Sequence, residues 1–450
     1  MITMRLSEAA DVLDATFHGE DVLFKGCSTD SRDIHKGELF IALHGEFYDG
    51  HDFVEQVRSQ GANAVLVERT LQLDLPMIAV DNTRKAMGKL AGHWRSNFKI
   101  PLIAITGSNG KTTVKEMLTA ILSQHTQVHA TRGNLNNDIG VPLTLFGLGK
   151  QHVYAIVEMG ANHPGEISWL SRMSNPTVAL ITQCAPAHLE GFGNIDGVAR
   201  AKAEVFEGLS KDGIAVINAD DSYADFWYGK VSEHGRINFA LDTSADVTAD
   251  NIQHDSVTGS ISFSLKTPKG RIEIMLSLPG KHNVLNALAA AACAVALELP
   301  LADIKQGLES MSAINGRMQW KRGVCQSCVI DDTYNANPQS LLAALDVLKY
   351  IPTRKWLVLG DMGELGTSAE QYHESAGRYA RDKGVERLFT IGQLSRHATE
   401  TFGDGARHYD TIDQLSEVIR KEVTGDLTIL VKGSRAMHLE RVVNVLMEAD

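Results

Sequence analysis

The stretch Ile103-Ala-Ile-Thr106-Gly-Ser-Asn-Gly-Lys-Thr-Thr113 decides how the rest of the chain is read. A short apolar run ends in a turn of small residues. Val114, Met117, Leu118, Ile121 and Leu122 then recur at helical spacing, which predicts strand, tight loop and amphipathic helix. Glycines let backbone N–H groups turn toward an anion, and a helix N-terminus adds partial positive charge. Lys111 supplies a full charge for the outer phosphates of a nucleotide, and the hydroxyl of Thr112 can ligate magnesium. The loop departs from the strict GxxxxGK[ST] pattern, because Ile105 stands where the first glycine belongs. Its chemistry is that of a nucleoside triphosphate site.

Working outward, 450 residues are enough for about three domains. A net charge of −12 argues against a general nucleic-acid binder, which would present a basic surface. Met1 to Asp14 reads as a polar-faced helix and not as a secretion signal, and no run is long and apolar enough to predict a membrane span. Five cysteines are scattered, and Cys325-Gln-Ser-Cys328, in an expected strand, has no second CxxC to complete a metal site. These features fit a monomer in a reducing compartment, the cytoplasm.

The expected architecture is α/β with three domains: residues 1–83 small and mixed, 84–314 a central parallel sheet carrying the phosphate loop, and 315–450 Rossmann-like. The first domain has strand-length apolar runs at 38–43, 64–67 and 76–80. Its polar loop Ser28-Thr29-Asp30-Ser31-Arg32 suits a phosphate or sugar, but equally a capped turn with a surface ion pair. In the middle domain, strands are expected at 153–157, 177–182 and 213–218, then a hairpin around Thr267-Pro-Lys-Gly270 and a long Ala-rich helix from Gly280. The third domain has strand candidates at 327–331, 355–360, 387–391 and 426–431 but no GxGxxG, so a dinucleotide is not indicated.

In an open parallel sheet, ligands bind beyond the carboxyl ends of the strands. Glu158 directly follows one strand, where an acid can hold magnesium. His188 follows the next. Lys202 falls on the apolar face of a helix expected over 197–209, four residues from Val198 and from Phe206. Partial desolvation there lowers an amine's pKa; carbamylation to a metal ligand is one outcome, and a snorkelling lysine covering the core is the other. His282, Asn283 and Asn286 suit an adenine edge, and Arg317 with Asp332 could reach phosphate and ribose.

Together these residues form a set. The phosphate loop, Glu158, His188, Lys202 within Lys-Ala-Glu-Val-Phe206, Gly280-Lys-His-Asn-Val-Leu-Asn286 and Asp331-Asp-Thr-Tyr-Asn-Ala-Asn-Pro338 resemble the Mur ligases of peptidoglycan synthesis, over essentially the whole chain. Gly133-Asn-Leu-Asn-Asn-Asp-Ile-Gly-Val-Pro142, Leu359-Gly-Asp-Met-Gly-Glu-Leu-Gly366 and Val431-Lys-Gly-Ser-Arg435 are most similar to the branch that adds a dipeptide. The resemblance implies an ATP-dependent ligase joining D-alanyl-D-alanine to UDP-N-acetylmuramoyl-tripeptide through an acyl phosphate. The alternative is another Mur-type or folylpolyglutamate-type amino-acid ligase. It further implies that Gly107, Ser108, Asn109, Gly110, Lys111, Thr112 and Thr113 cradle ATP, with Thr112 and Glu158 on one Mg2+ and His188 and carbamylated Lys202 on a second. His282, Asn283 and Asn286 would read adenine, while Arg317 and Asp332 would close over phosphate and ribose. Ser28 to Arg32 would take the UDP end, and Asn134, Asn136, Asn137, Asn162 and His163 would line the path toward ATP. Tyr334, Asp361 and Glu364 are candidates for the incoming dipeptide.

Overall fold

A computed structural model describes residues 1–255 and 259–448. Three sheets, each with its own run of sequence, organise it. The first orders its strands as Phe17–His18, Met77–Ala79, Ala64–Val67, Leu39–Ile41 and Cys27–Ser28, all parallel except the first. Beside it, Thr3–Arg5 pairs antiparallel with Leu23–Lys25. The chain therefore opens with a strand before the helix Leu6–Leu13, in place of the single helix expected from Met1. Ile2 and Met4 alternate inward with period two and are buried, and the backbone finds its partners across the strand pair.

The central sheet has nine strands, ordered Gly270–Leu276, Ile261–Thr267, Val247–His254, Gly235–Ala240, Ile214–Asn218, Val178–Ile181, Leu102–Thr106, Tyr154–Glu158 and Val128–Ala130. The last seven run parallel, and the expected hairpin forms the antiparallel edge. Leu102–Thr106 is the strand from which the chain winds both ways, so a crevice opens beyond its carboxyl end. The phosphate loop lies there, and Lys111–Leu122 follows as the predicted helix. One face of the sheet is covered by this helix and by Lys281–Ala296, whose alanines let it seat closely. The other face shares its core with the first sheet through Thr83–Ser96, where Met87 and Leu90 are buried beside Leu66, Ile78 and Leu102.

The third sheet orders Gln319–Arg322, Cys328–Asp332, Leu427–Lys432, Arg354–Gly360, Arg387–Ile391 and Ala406–Tyr409, parallel except for its first strand. Strands that sequence reading passes over, such as Gln319–Arg322 and Ala406–Tyr409, are half-exposed edges without a continuous apolar run. The expected strand at Cys325 is instead a turn, with Cys325 in a left-handed conformation, and all five cysteines are free. The helix expected over 197–209 divides into Ile195–Ala203 and a tighter 3-10 segment, Glu204–Gly208. Gly208 passes against the backbone of Ser171, too close for any Cβ. Among the described residues no helix is long and apolar enough to cross a membrane.

Candidate active site

A cleft of about 840 Å³ lies between the central sheet and the third sheet, with the phosphate loop at its floor. The loop is braced on every side. Gly107 adopts φ +149° with the Thr182 hydroxyl so near that a Cβ could not fit. Thr182 Oγ1 donates to the carbonyl of Asn109 at 2.6 Å, and Ser108 Oγ donates to that of Ala185 at 3.0 Å. Gly110, at φ +83°, caps the following helix, and a Cβ there would stand 2.4 Å from Asn286 Oδ1. Asn283 holds that amide in turn: its own Nδ2 donates to Pro279 O at 2.7 Å, while Asn286 Nδ2 donates to Asn283 Oδ1 at 3.1 Å. Lys111 Nζ donates to Gly107 O at 2.6 Å, and burial lowers its pKa, with Glu158 opposing.

Glu158 is 3% exposed, with both carboxylate oxygens used. Thr112 Oγ1 donates to Oε2 at 3.0 Å and Asn136 Nδ2 to Oε1 at 2.9 Å. Its backbone N–H donates to Thr131 Oγ1 at 3.0 Å. The hydroxyl and carboxylate expected on one cation are thus adjacent. No cluster of three His, Cys, Asp or Glu side chains among the described residues could hold a metal unaided. The adjacent hydroxyl and carboxylate are hard oxygen donors of the kind magnesium takes together with substrate phosphates and water.

Lys202 is 1% exposed and forms no ion pair among the described residues. Its Nζ stands 5.6 Å over the Phe192 ring. Desolvation, and then the charge of Lys111, bring its pKa down to about 7, so a neutral amine is accessible. His188 also lines the cleft. Its Nδ1 is 2.5 Å from Glu364 Oε2, a close contact set off the N–H axis.

The third sheet supplies the facing wall. Arg317 Nη2 donates to Thr112 Oγ1 at 3.0 Å, and its guanidinium lies 4.2 Å over the Tyr334 ring. Its buried Nε has no hydrogen-bond partner among the described residues, a donor suited to an incoming phosphate. Asp332 accepts from Met318 N–H at 3.1 Å and from Lys432 Nζ at 2.6 Å, so its carboxylate is already engaged. His282, in the first turn of the helix Lys281–Ala296 on the central sheet, lines the cleft as well, with burial pushing its pKa down to about 4, so its ring is neutral.

Asn134, Asn162 and His163 border the cleft as well. Asn137 does too, but its Oδ1 accepts the N–H of Gly140 at 2.9 Å, at the start of the helix Gly140–Phe146. Seven candidates lie elsewhere. Ser28 to Arg32 form an exposed turn in which Arg32 grips Asp30 at 2.9 and 2.7 Å. Asp361 turns away, accepting the N–H groups of Leu394 and Ser395 at 3.1 and 2.7 Å. Glu364 faces His188 from outside the cleft lining. Residues given no role from sequence include Thr182, Lys432, Arg435 and Asn337, whose Nδ2 donates to Asn109 Oδ1 at 2.7 Å. Lys432 and Arg435 lay within the quoted Val431–Arg435 motif; nothing in sequence marked Thr182.

Known proteins match this chain over its whole length. Residues 105–294 match the Mur ligase middle domain, 316–435 the Mur ligase glutamate ligase domain, and 23–95 the Mur ligase family catalytic domain. The chain is 42% identical, over its whole length and 99% of the relative, to UDP-N-acetylmuramoyl-tripeptide–D-alanyl-D-alanine ligase of Escherichia coli (strain K12). It superposes on a crystal structure of MurF from Acinetobacter baumannii with a TM-score of 0.94, at 36% identity and full coverage of both chains. MurF ligase from Thermotoga maritima, solved in complex with ADP, superposes with a TM-score of 0.82 at 25% identity, over 94% of this chain and 96% of that one. Parallel sheets in three units, a phosphate loop at their junction and full-length identity lead to one conclusion: the chain belongs to the Mur ligase family.

Proposed function

We infer that this chain is an ATP-dependent ligase that joins D-alanyl-D-alanine to UDP-N-acetylmuramoyl-tripeptide, forming a C–N bond and releasing ADP and phosphate. The observation that carries the reading is 42% identity over the entire chain to an enzyme of that name. In this reading residues 1–83 take the UDP end, residues 84–314 take ATP, and residues 315–450 bring the dipeptide and close over the nucleotide.

The terminal carboxylate of the tripeptide attacks the γ-phosphorus of ATP, and ADP leaves. The dipeptide amine, having lost a proton, then attacks the acyl carbon, and the tetrahedral intermediate collapses to an amide and inorganic phosphate. Two anions meet in the first step, so positive charge fixed in place before reaction is the main requirement. Lys111 and Arg317 supply it from opposite walls. Magnesium, when bound, neutralises phosphate charge; Thr112 and Glu158 would hold one ion, and His188 with Lys202 a second. For Lys202 this requires addition of its neutral amine to carbon dioxide with release of a proton, giving a carbamate; the lowered pKa of Nζ and its place on the cleft lining favour it. Asn286 and His282 border the adenine end, and Asn134, Asn162 and His163 the path of the peptide. The acyl phosphate hydrolyses in water, so Tyr334 and Arg317 serve best as part of a wall that shuts before chemistry.

The test is phosphate release against a panel of muramoyl tripeptides and amine acceptors. Release that depends on D-alanyl-D-alanine, and not on glutamate or lysine, is expected. Equal rates with a single amino acid would transfer the chain to another branch of the family.

A further inference from the structure

The loop that follows the strand Arg354–Gly360 is held by an unusual number of bonds. Ser434 N–H donates to the carbonyl of Asp361 at 2.9 Å, and Gly363 N–H to Ser434 Oγ at 2.7 Å. Met362 N–H donates to Nε2 of His373, a fully buried ring whose Nδ1 faces Ala369 O at 2.7 Å. The Asp361 carboxylate, as described, caps Leu394 and Ser395. This frame holds Glu364 at φ +61°. At the edge of the cleft His188 adopts φ +53° at the start of Leu189–Phe192. Left-handed backbone at a non-glycine residue is strained and persists where surrounding structure over-determines it. Here two such residues from different sheets meet twice. Leu189 N–H donates to the carbonyl of Glu364 at 2.9 Å, and Glu364 Oε2 stands 2.5 Å from His188 Nδ1.

We propose that Glu364 is a positioning residue, gripping His188 at the edge of the cleft so that the imidazole is oriented for acyl-phosphate chemistry only when the third unit is closed over the middle one. A carboxylate brought onto Nδ1 fixes tautomer and ring direction, leaving Nε2 to face the reaction; here the two atoms stand 2.5 Å apart without hydrogen-bond alignment, so a small turn of the ring completes the grip. The grip is separate from other bridges between the units, among them Asn109 with Asn337 and Thr112 with Arg317, so removing it leaves a closed contact with a free imidazole. The proposal rests on the ligase reading above.

Two measurements on the full chain test it. In a kinetic cycle, Glu364→Ala lowers kcat about 10–100-fold with KM for ATP and tripeptide within twofold, the usual loss for an outer-shell partner. The Glu364→Ala/His188→Ala double variant is no slower than His188→Ala alone, and Glu364→Asp recovers part of the loss. Losses that multiply in the double variant overturn the proposal. Separately, 15N-histidine NMR, with the His188 signal identified by its absence in His188→Ala, reads the tautomer without turnover. A fixed Nδ1–H form in the parent becomes a mixture in Glu364→Gln. An unchanged tautomer there overturns the proposal. The Glu364 side chain is half exposed, so neither substitution leaves a core cavity. Failure of the parent chain to release phosphate with the dipeptide would instead remove the ligase reading, and the tautomer experiment would still decide the grip.

Discussion

The phosphate loop at 107–113 and the first-domain turn at 28–32 are both short, hydroxyl-rich turns; sequence gives the first to phosphate and leaves the second open between phosphate or sugar and a capped turn with a surface ion pair, and the structure treats them oppositely. The first is locked from outside: Thr182 and Asn286 crowd its glycines, and Ala185 takes the Ser108 hydroxyl. The second satisfies itself. Ser28 Oγ donates to Asp30 O at 3.2 Å, and Arg32 folds onto Asp30 with the two side chains 84% and 43% exposed. One loop meets its anion with the geometry already set; the other must break an internal ion pair first. Preorganisation reduces what binding must spend on ordering, so equal-looking motifs are expected to differ in effect.

Four substitutions would break or sharpen that contrast. The largest effect is expected at Lys111→Ala, where turnover should fall about 10³-fold, as when a fixed electrostatic partner of the transition state is removed. Steady-state phosphate release checks it, and a loss under tenfold would mean that charge is stabilised elsewhere. Next, Lys202→Ala should lower turnover by about 10²-fold or more, while the parent enzyme gains activity with added bicarbonate. Normal turnover by the variant in bicarbonate-free buffer would end the carbamate role. Gly110→Ala comes third. A left-handed φ costs an alanine about 1–2 kcal/mol, roughly tenfold in KM for ATP, before the clash with Asn286 Oδ1 is added. If Gly110→Ala bound ATP normally, the loop would be less rigid than its contacts require.

The smallest effect is expected in the first domain. Arg32→Ala should raise KM for the UDP substrate about tenfold with kcat unchanged, the signature of lost uniform binding. It should also move a titration. The Arg32 side chain, by hydrogen bond and charge, holds the Asp30 carboxyl at about 2. A depressed carboxyl stabilises the fold above the unfolded value of about 3.9 and ceases to do so as pH falls toward 2. In Arg32→Ala, carboxyl NMR should find Asp30 titrating nearer the ordinary range, and UDP substrate should produce the same rise in the parent by drawing Arg32 away. An Asp30 titration unmoved by substrate would mean that Arg32 never leaves its partner.

Legibility in sequence followed local periodicity. The strands Ala64–Val67 and Arg387–Ile391 match the expected runs residue for residue, because a strand buried on both faces is largely apolar. Edge strands such as Val128–Ala130 have one solvated side and leave no such run. Within the site, Lys111, Glu158 and Lys202 were legible because each follows from a strand end or a helix face. Thr182 was not, and Asn337 was marked only as a member of the quoted motif 331–338, without a role. Their roles depend on which loop lies opposite, and that is fixed by sheet order and by the seating of the third unit.

The phosphate loop with its helix, the α/β class and membership of the Mur ligase family are determined by sequence, since each rests on residues close together or on motifs whose spacing is itself the signal. Tertiary structure alone decided that Asp361 serves a helix start and not the cleft, that Arg317 reaches Thr112, and that Glu364 meets His188. Those contacts join residues 34, 205 and 176 apart in number. No local pattern encodes them, because they exist only once burial of separate apolar faces has set the sheets against one another.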